Sequence, residues 1–333
     1  MSTLRSGGRI RAYLEFILAV VYFFMARALA RHGAHGLVRE QWSPLLEQAM
    51  LALLLLAGYA ALGSWLDRQT NPVSAQGLPL RQGWQGEAGL GLAVGWSLAV
   101  ACVIPLVVGG GIAIFLNLQL SAWGWLVAEA AFFALAALVE EIAFRGYGFQ
   151  RFVASVGPLG AALGFAAYFA IVQFQAPGSN RASFAVSIVL SLLLSTAYLR
   201  TRALWLSWGL NFGWKASRAL LFGLAVSGVN SHSPVVQGDP MGSFWLTGGG
   251  FGLDGTWVAC AVLFAGLLVI FRVTRELDYK CNAPVIVSGG IPVDLDAAAR
   301  KQHDAAMGPA EPAAPTLVQI APVAPPPQPA PPE

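Results

Sequence analysis

The sequence predicts an all-α fold, a polytopic membrane bundle of about eight transmembrane helices. Three observations carry that reading. Only 11% of the 333 residues are charged and 56% are apolar, whereas a soluble domain carries roughly 25% charged residues. Uncharged apolar runs near the roughly 20 residues needed to cross a bilayer recur along the chain. Lys and Arg, finally, fall preferentially on one side of the topology those runs imply.

The runs lie near residues 13–30, 45–66, 87–107, 122–142, 158–175, 184–200, 203–226 and 256–273. Glu15 and Arg27 interrupt the first. Arg5, Arg9 and Arg11 before it would suit a signal peptide, but no small-residue cleavage site follows and Arg27 and Arg31 come too soon, so a retained first helix is expected. With the N-terminus in the cytoplasm, Arg5, Arg9, Arg11, Arg68, Arg81, Arg145, Arg151, Arg200 and Arg202 lie inside, as do Arg272, Arg275, Lys280, Arg300 and Lys301 at and after the end of the last span. The outside segments hold only Arg27, Arg31, Arg39 and Arg181, and loop 228–255 has no Lys or Arg. This places a multi-pass protein in the cell membrane with both termini cytoplasmic.

Residues 67–86 read as a polar loop broken by Gly77, Pro79 and Gly83. The third span runs into a turn at Gly109–Gly111. The fourth ends on Glu140 and Glu141, with Arg145 one turn on, and Gly146, Gly148, Gly157 and Pro158 then break the helix. Small residues Gly160 and Gly164 in the fifth span allow close helix packing, and Gln173 and Gln175 end it. Ser183, Ser187, Ser191 and Ser195 recur every four residues in the sixth, a packing stripe. Asn211, Lys215 and Arg218 in the seventh sit at i, i+4 and i+7, on one helical face. An ammonium at that depth costs a few kcal/mol, so Lys215 needs an anion, a cavity or a different helix boundary. Arg218 can reach for the opposite interface. Loop 228–255, rich in Gly and Ser, is expected to be ordered by docking on the bundle.

Three regions follow: N-terminal helices and loops over 1–119, a transmembrane core over 120–275, and a disordered Pro/Ala-rich cytoplasmic tail over 281–333. Half of the 20 prolines lie between Pro309 and Pro332, a composition that cannot bury enough apolar surface to fold. Cys102, Cys260 and Cys281 have no metal or redox spacing. A net charge of +3 suggests no nucleic-acid partner.

Three separated pieces of the core together resemble the CPBP family of intramembrane proteases, which includes the type II CAAX prenyl proteases. The family's Glu-Glu-x-x-x-Arg motif is intact as Glu140, Glu141 and Arg145, followed by Gly146. Its Phe-x-x-x-His motif keeps Phe169, with Gln173 at the histidine position. In its His-x-x-x-Asn motif Asn211 stands for histidine and Lys215 for asparagine. The likeness covers roughly residues 120–270. It implies that the glutamate at position 140 is a general base for water, while the histidines and asparagine orient water, stabilise the oxyanion or bind a metal. Gln and Asn can donate a hydrogen bond but cannot carry the proton or hold zinc well. His32, His35, His232 and His303 all lie outside the expected site, so no zinc or other cofactor is expected.

Two readings of the core follow from the residues. In a pseudo-protease the fold is kept and a Lys215–Glu140 or Lys215–Glu141 ion pair fills the site. The protein then binds, chaperones or scaffolds membrane segments. The alternative is an active endopeptidase in which Glu140 activates water, Glu141 and Arg145 order the site, and Gln173 and Asn211 form the oxyanion hole. A lysine beside Glu140 weakens it as a base, which favours the first reading. A small-molecule transporter is a second alternative, but no internal repeat is visible. The expected partners are the lipid bilayer and a membrane-protein or peptide substrate or client. Both protease-like readings require the fourth, fifth and seventh spans to bring Glu140, Gln173 and Asn211 to one chamber.

Overall fold

The computed structural model describes residues 6–68, 71–229 and 235–274, with residues 285–286 and 292–293. Two compact units are present, Met1–Cys281 and Asn282–Glu333. In the second, Val285–Ile286 and Pro292–Val293 pair as antiparallel strands. The rest of the expected unfolded tail lies outside the described residues.

The first unit is a helix bundle. Its elements are α1 (Ser6–Leu37), α2 (Ser43–Asp67), the single turn α3 (Pro72–Ala75), α4 (Trp84–Val108), β1 (Ile112–Leu116), α5 (Leu120–Arg145), α6 (Tyr147–Val156), α7 (Pro158–Phe174), α8 (Arg181–Thr201), α9 (Leu204–Ala216), β2 (Val236–Pro240), α10 (Phe244–Thr247) and α11 (Trp257–Val273). Among the described residues, five helical stretches are long and apolar enough to cross a membrane: Gly8–Leu37, Glu40–Asp67, Trp84–Val108, Leu120–Val156 and Arg181–Thr201. The other expected spans are helical but shorter. Both α7 and α11 have 17 residues, and α9 has 13 before it passes into a π turn over Ser217–Leu221. Large apolar side chains remain on the outside, with Met25 at 65% and Leu53 at 68% exposure. Such a surface suits lipid rather than water.

Local sequence explains the element ends. Pro158 opens α7, where its missing N–H costs nothing. Asn180 caps α8 in a reciprocal box, its Oδ1 accepting from the Ser183 N–H at 2.9 Å while Ser183 Oγ accepts from the Asn180 N–H at 2.9 Å. The first helix runs unbroken through Glu15 and Arg27, because Glu15 is neutralised by Arg11 at 2.7 Å and by Arg151 at 3.5 Å. Gly148 does not break a helix, contrary to expectation. The first break falls at Gly146, α6 resumes at Tyr147, and the expected break at Gly157 and Pro158 separates α6 from α7. A strand follows the Gly109–Gly111 turn where none is foreseen: β1 pairs antiparallel with β2, Ile112 opposite Pro240 and Leu116 opposite Val236. This ribbon ties loop 228–255 to the end of α4. The 67–86 loop docks on the α8–α9 corner, where Gly77 O accepts from the Leu204 N–H at 2.6 Å and Pro79 O from Trp205 Nε1 at 2.9 Å.

Three packed clusters result among the described residues, the smallest joining Phe133 of α5 to Ala216, Ala219 and Leu220. Of the two larger, one joins α4, α8, α9 and α11 through Leu98, Leu193, Leu210 and Leu263. The other joins α1, α2, α5 and α6 through Ala19, Leu55, Ile142 and Phe149. The closest helix approach is not at Gly160 and Gly164, whose nearest neighbours are the side chains of Val156 and Phe152. It is between α4 and α9. A Cβ on Gly91 or Gly95 would collide with the backbone of Leu206, Leu210 and Trp214, and one on Gly209 or Gly213 with the backbone of Ala88, Leu92 and Trp96. The two helices thus present reciprocal Gly-x-x-x-Gly faces. Backbone, unlike a flexible side chain, cannot step aside. Gly209→Ala should therefore cost about 1–3 kcal/mol, as overpacking does. Gly86→Ala on the same helix pair meets open space and should cost nothing measurable. Apparent melting temperatures of both variants in detergent would separate the two.

Candidate functional site

That glycine contact fixes where α9 lies, and α5 packs on α9 as well. The result is a polar centre between the last turns of α5 and the middle of α9. Asn211 Nδ2 donates to Glu140 Oε2 at 3.0 Å and to Glu141 Oε1 at 3.0 Å. Lys215 Nζ contacts both oxygens of Glu140. Arg145 Nη1 donates to Glu141 Oε1 at 3.1 Å, and its Nη2 reaches the Ser191 carbonyl at 3.3 Å and hydroxyl at 3.4 Å. The serine stripe of α8 is accordingly more than packing, because one of its members holds the motif arginine.

The two adjacent glutamates sit in different surroundings. Glu141 is fully buried, and its arginine is nearly so. The Glu140 side chain keeps 29% of its surface exposed and Lys215 keeps 12%. Successive helical residues point about 100° apart, so adjacent carboxylates cannot share one environment. Glu141 faces the α8 side with Arg145. Glu140 faces α9 and the remaining opening.

Of the six residues singled out in the sequence, five converge here: Glu140, Glu141, Arg145, Asn211 and Lys215. Gln173 is placed differently. Its Nε2 donates to Ser227 Oγ at 2.7 Å, and Ser227 Oγ donates in turn to Asp254 Oδ2 at 3.1 Å. Arg218 joins that second cluster. It is fully buried, pairs with Asp254 at 2.7 Å and lies over the Trp214 ring at 4.2 Å. The expected common face of Asn211, Lys215 and Arg218 is therefore lost. A π turn begins at Ser217, and it resets the helical phase just before Arg218. The helix then stops short of the predicted residue 226. Gly223, at φ +63°, lets β2 pass so close that a Cβ would strike the backbone of Val236 and Gln237.

Ser227 and Asp254 were not singled out from the sequence. A signal was available: Arg218, a cation within an apolar run, must find an anion, and its own helix offers none. His32 and His35 lie in the last turns of α1, where His32 Nδ1 contacts the Ala28 carbonyl and His35 Nδ1 the Ser43 hydroxyl. Among the described residues no group of three or more His, Cys, Asp or Glu is arranged to hold a metal ion.

The polar centre has a counterpart among known families. Residues 121–217 match the family model described as type II CAAX prenyl endopeptidase Rce1-like. Over that stretch the chain is similar to the Rce1-like family. No curated protein and no solved structure matches it. The Rce1-like segment starts with α5 and ends at Ser217, so it contains Glu140, Glu141, Arg145, Gln173, Asn211 and Lys215. It stops where the π turn begins. Arg218, Ser227 and Asp254, together with α1 to α4 and α11, lie outside it. The Rce1-like core and its long apolar helices make this a membrane protein.

Proposed function

We propose that the Rce1-like core is a pseudo-protease that keeps the intramembrane scaffold and binds membrane polypeptide segments without cutting them. The observation that carries this reading is the Lys215 ammonium seated on both oxygens of Glu140. A general base must offer a lone pair to water. Here one carboxylate oxygen is shared between an ammonium and the Asn211 amide, and the other is occupied by the same ammonium.

The oxyanion side of the site argues the same way. Stabilising an oxyanion takes donors aimed at empty space before the substrate arrives. Asn211 Nδ2 has two N–H groups, and its two bonds go to the two glutamates. Gln173 Nε2 donates to Ser227. The Asn211 amide is thus not poised to receive a developing charge, and Gln173 bonds in the Ser227–Asp254 cluster rather than beside Glu140. The donor set does not suit a metal either. Zinc favours imidazole, thiolate and carboxylate, whereas Glu140 is held by an ammonium and a carboxamide and the neighbouring Glu141 by Arg145 and the same carboxamide. No cofactor is part of this proposal.

The test uses the full chain purified in detergent, with a peptide library and farnesylated CAAX peptides as substrates, read by mass spectrometry. Wild type and Glu140→Gln should give the same background. Cleavage by wild type that Glu140→Gln abolishes would establish the active endopeptidase reading instead.

A further inference from the structure

A second feature, remote from Glu140, lies along α1. At its start, Arg11 and Glu15 share a polar mouth of about 590 Å³ with Arg68 at the end of α2 and Arg151 on α6. One and two turns further on, Phe16, Ala19, Val20 and Phe23 line an apolar groove of about 250 Å³, closed on the other side by Phe152 of α6 and Phe165 of α7. Residues 8, 12, 15, 16, 19 and 23 fall on one helical face at three- and four-residue steps. On α6, Arg151 faces the mouth and its neighbour Phe152 the groove. Mouth and groove therefore adjoin along the flank of the bundle.

The mouth is positively charged. It holds three guanidiniums (Arg11, Arg68, Arg151) against two carboxylates (Glu15, Asp67), which leaves one positive charge. Both carboxylates are already engaged: Glu15 by Arg11 at 2.7 Å, Asp67 by Arg151 at 3.0 Å. Buried Arg151 Nε has no hydrogen-bond partner. Arg68 is exposed and held at φ +52°; its backbone N–H caps α2 on the Gly63 carbonyl, while its side chain makes no hydrogen bond or ion pair among the described residues. Beside it Trp65 is 89% exposed, an indole placed as those at membrane–water interfaces are. This is also the end of the bundle that the Lys and Arg distribution marks as cytoplasmic.

A basic mouth at headgroup level above an apolar groove at acyl level fits one ligand chemistry. We propose that mouth and groove together bind one anionic phospholipid, its phosphate against Arg68 and Arg151 and one acyl chain along Phe16, Val20 and Phe152. The mouth alone would suit any phosphate. The adjoining groove selects a lipid.

Native mass spectrometry of the full chain tests this, with phosphatidylglycerol and phosphatidylethanolamine of identical chains supplied in equal amounts. Wild type should retain one phosphatidylglycerol, preferred about fivefold or more, the worth of one basic residue at a membrane surface. Arg68→Asn tolerates the left-handed backbone, breaks no observed side-chain contact, and should reduce that preference by about fivefold, lowering phosphatidylglycerol retention more than that of phosphatidylethanolamine, whose ammonium offsets its phosphate. Val20→Phe should lower retention of both lipids. Equal retention of the two lipids by wild type, or an unchanged preference in Arg68→Asn, would overturn the proposal. So would glycerol phosphate competing as well as the intact lipid. None of these readouts depends on Glu140, so the result is independent of whether the core cleaves peptides.

Discussion

Arg218→Met should be among the most damaging single changes in this protein, lowering stability by about 3–5 kcal/mol, the range for stripping a partner from a buried charge. Arg218 is fully buried, and Asp254 is only 6% exposed. Their 2.7 Å contact is an ion pair without hydrogen-bond alignment, since Arg218 Nη1 and Asp254 Oδ1 lack hydrogen-bond partners. Its worth is thus mainly charge neutralisation, with the Trp214 ring adding a cation–π term. Removing the guanidinium leaves a carboxylate in an apolar interior, with only the Ser227 hydroxyl, itself held by Gln173, still donating to it. SDS-induced unfolding in mixed micelles would measure the loss. Limited proteolysis should open the segment between α9 and α11 first, because Asp254 is that segment's charged tie to the bundle. Arg218→Met combined with Asp254→Leu should recover most of the loss, because apolar residues of similar volume often replace a buried ion pair at little cost. A double variant no better than the single one would show that geometry, and not the uncompensated charge, dominates.

Arg145→Met should have an effect of the same size, about 3–5 kcal/mol, and it separates the two glutamates of the motif. Glu141 is completely buried and Arg145 is its cation, at 3.1 Å. The same guanidinium also holds the α8 backbone at Ser191, so its loss loosens the α5–α8 contact as well. Glu140→Gln should cost far less, about 1–2 kcal/mol, since the Glu140 side chain is 29% exposed and water screens its pair with Lys215. The amide can also still accept from Lys215. The same unfolding titration compares the three proteins. Equal losses for Arg145→Met and Glu140→Gln would mean that Glu141 and Glu140 do the same structural work. The expected inequality assigns Glu141 to holding the scaffold and leaves Glu140 as the group at the opening, where a protease would keep its base and this chain keeps a lysine.

Much of this was legible in the residues. Apolar run length alone placed the helices, because in lipid an unpaired backbone group is so costly that a long apolar run has little choice but to be helical. The four-residue spacing of Glu141 and Arg145 likewise settled their pairing, a contact within one helix. The need of Lys215 for an anion also followed from its surroundings in the sequence. Which anion it takes did not: that depends on the crossing of α5 and α9. The crossing is set by Gly91, Gly95, Gly209 and Gly213, whose two Gly-x-x-x-Gly spacings are visible in the chain but whose mutual contact is not.

The tertiary structure also decided where Gln173 and Arg218 belong. Gln173 was placed by the family motif and Arg218 by extrapolating a regular helix, and both bond instead to residues of the segment that follows α9. For Arg218, a π turn at Ser217 broke the extrapolation; for Gln173, the docking of Ser227 supplied a partner that the motif does not contain. Periodicity is a property of each helix and can be read locally. Partner choice for a buried charge is a property of how helices cross and where loops dock, so it emerges only when distant parts of the chain are packed together.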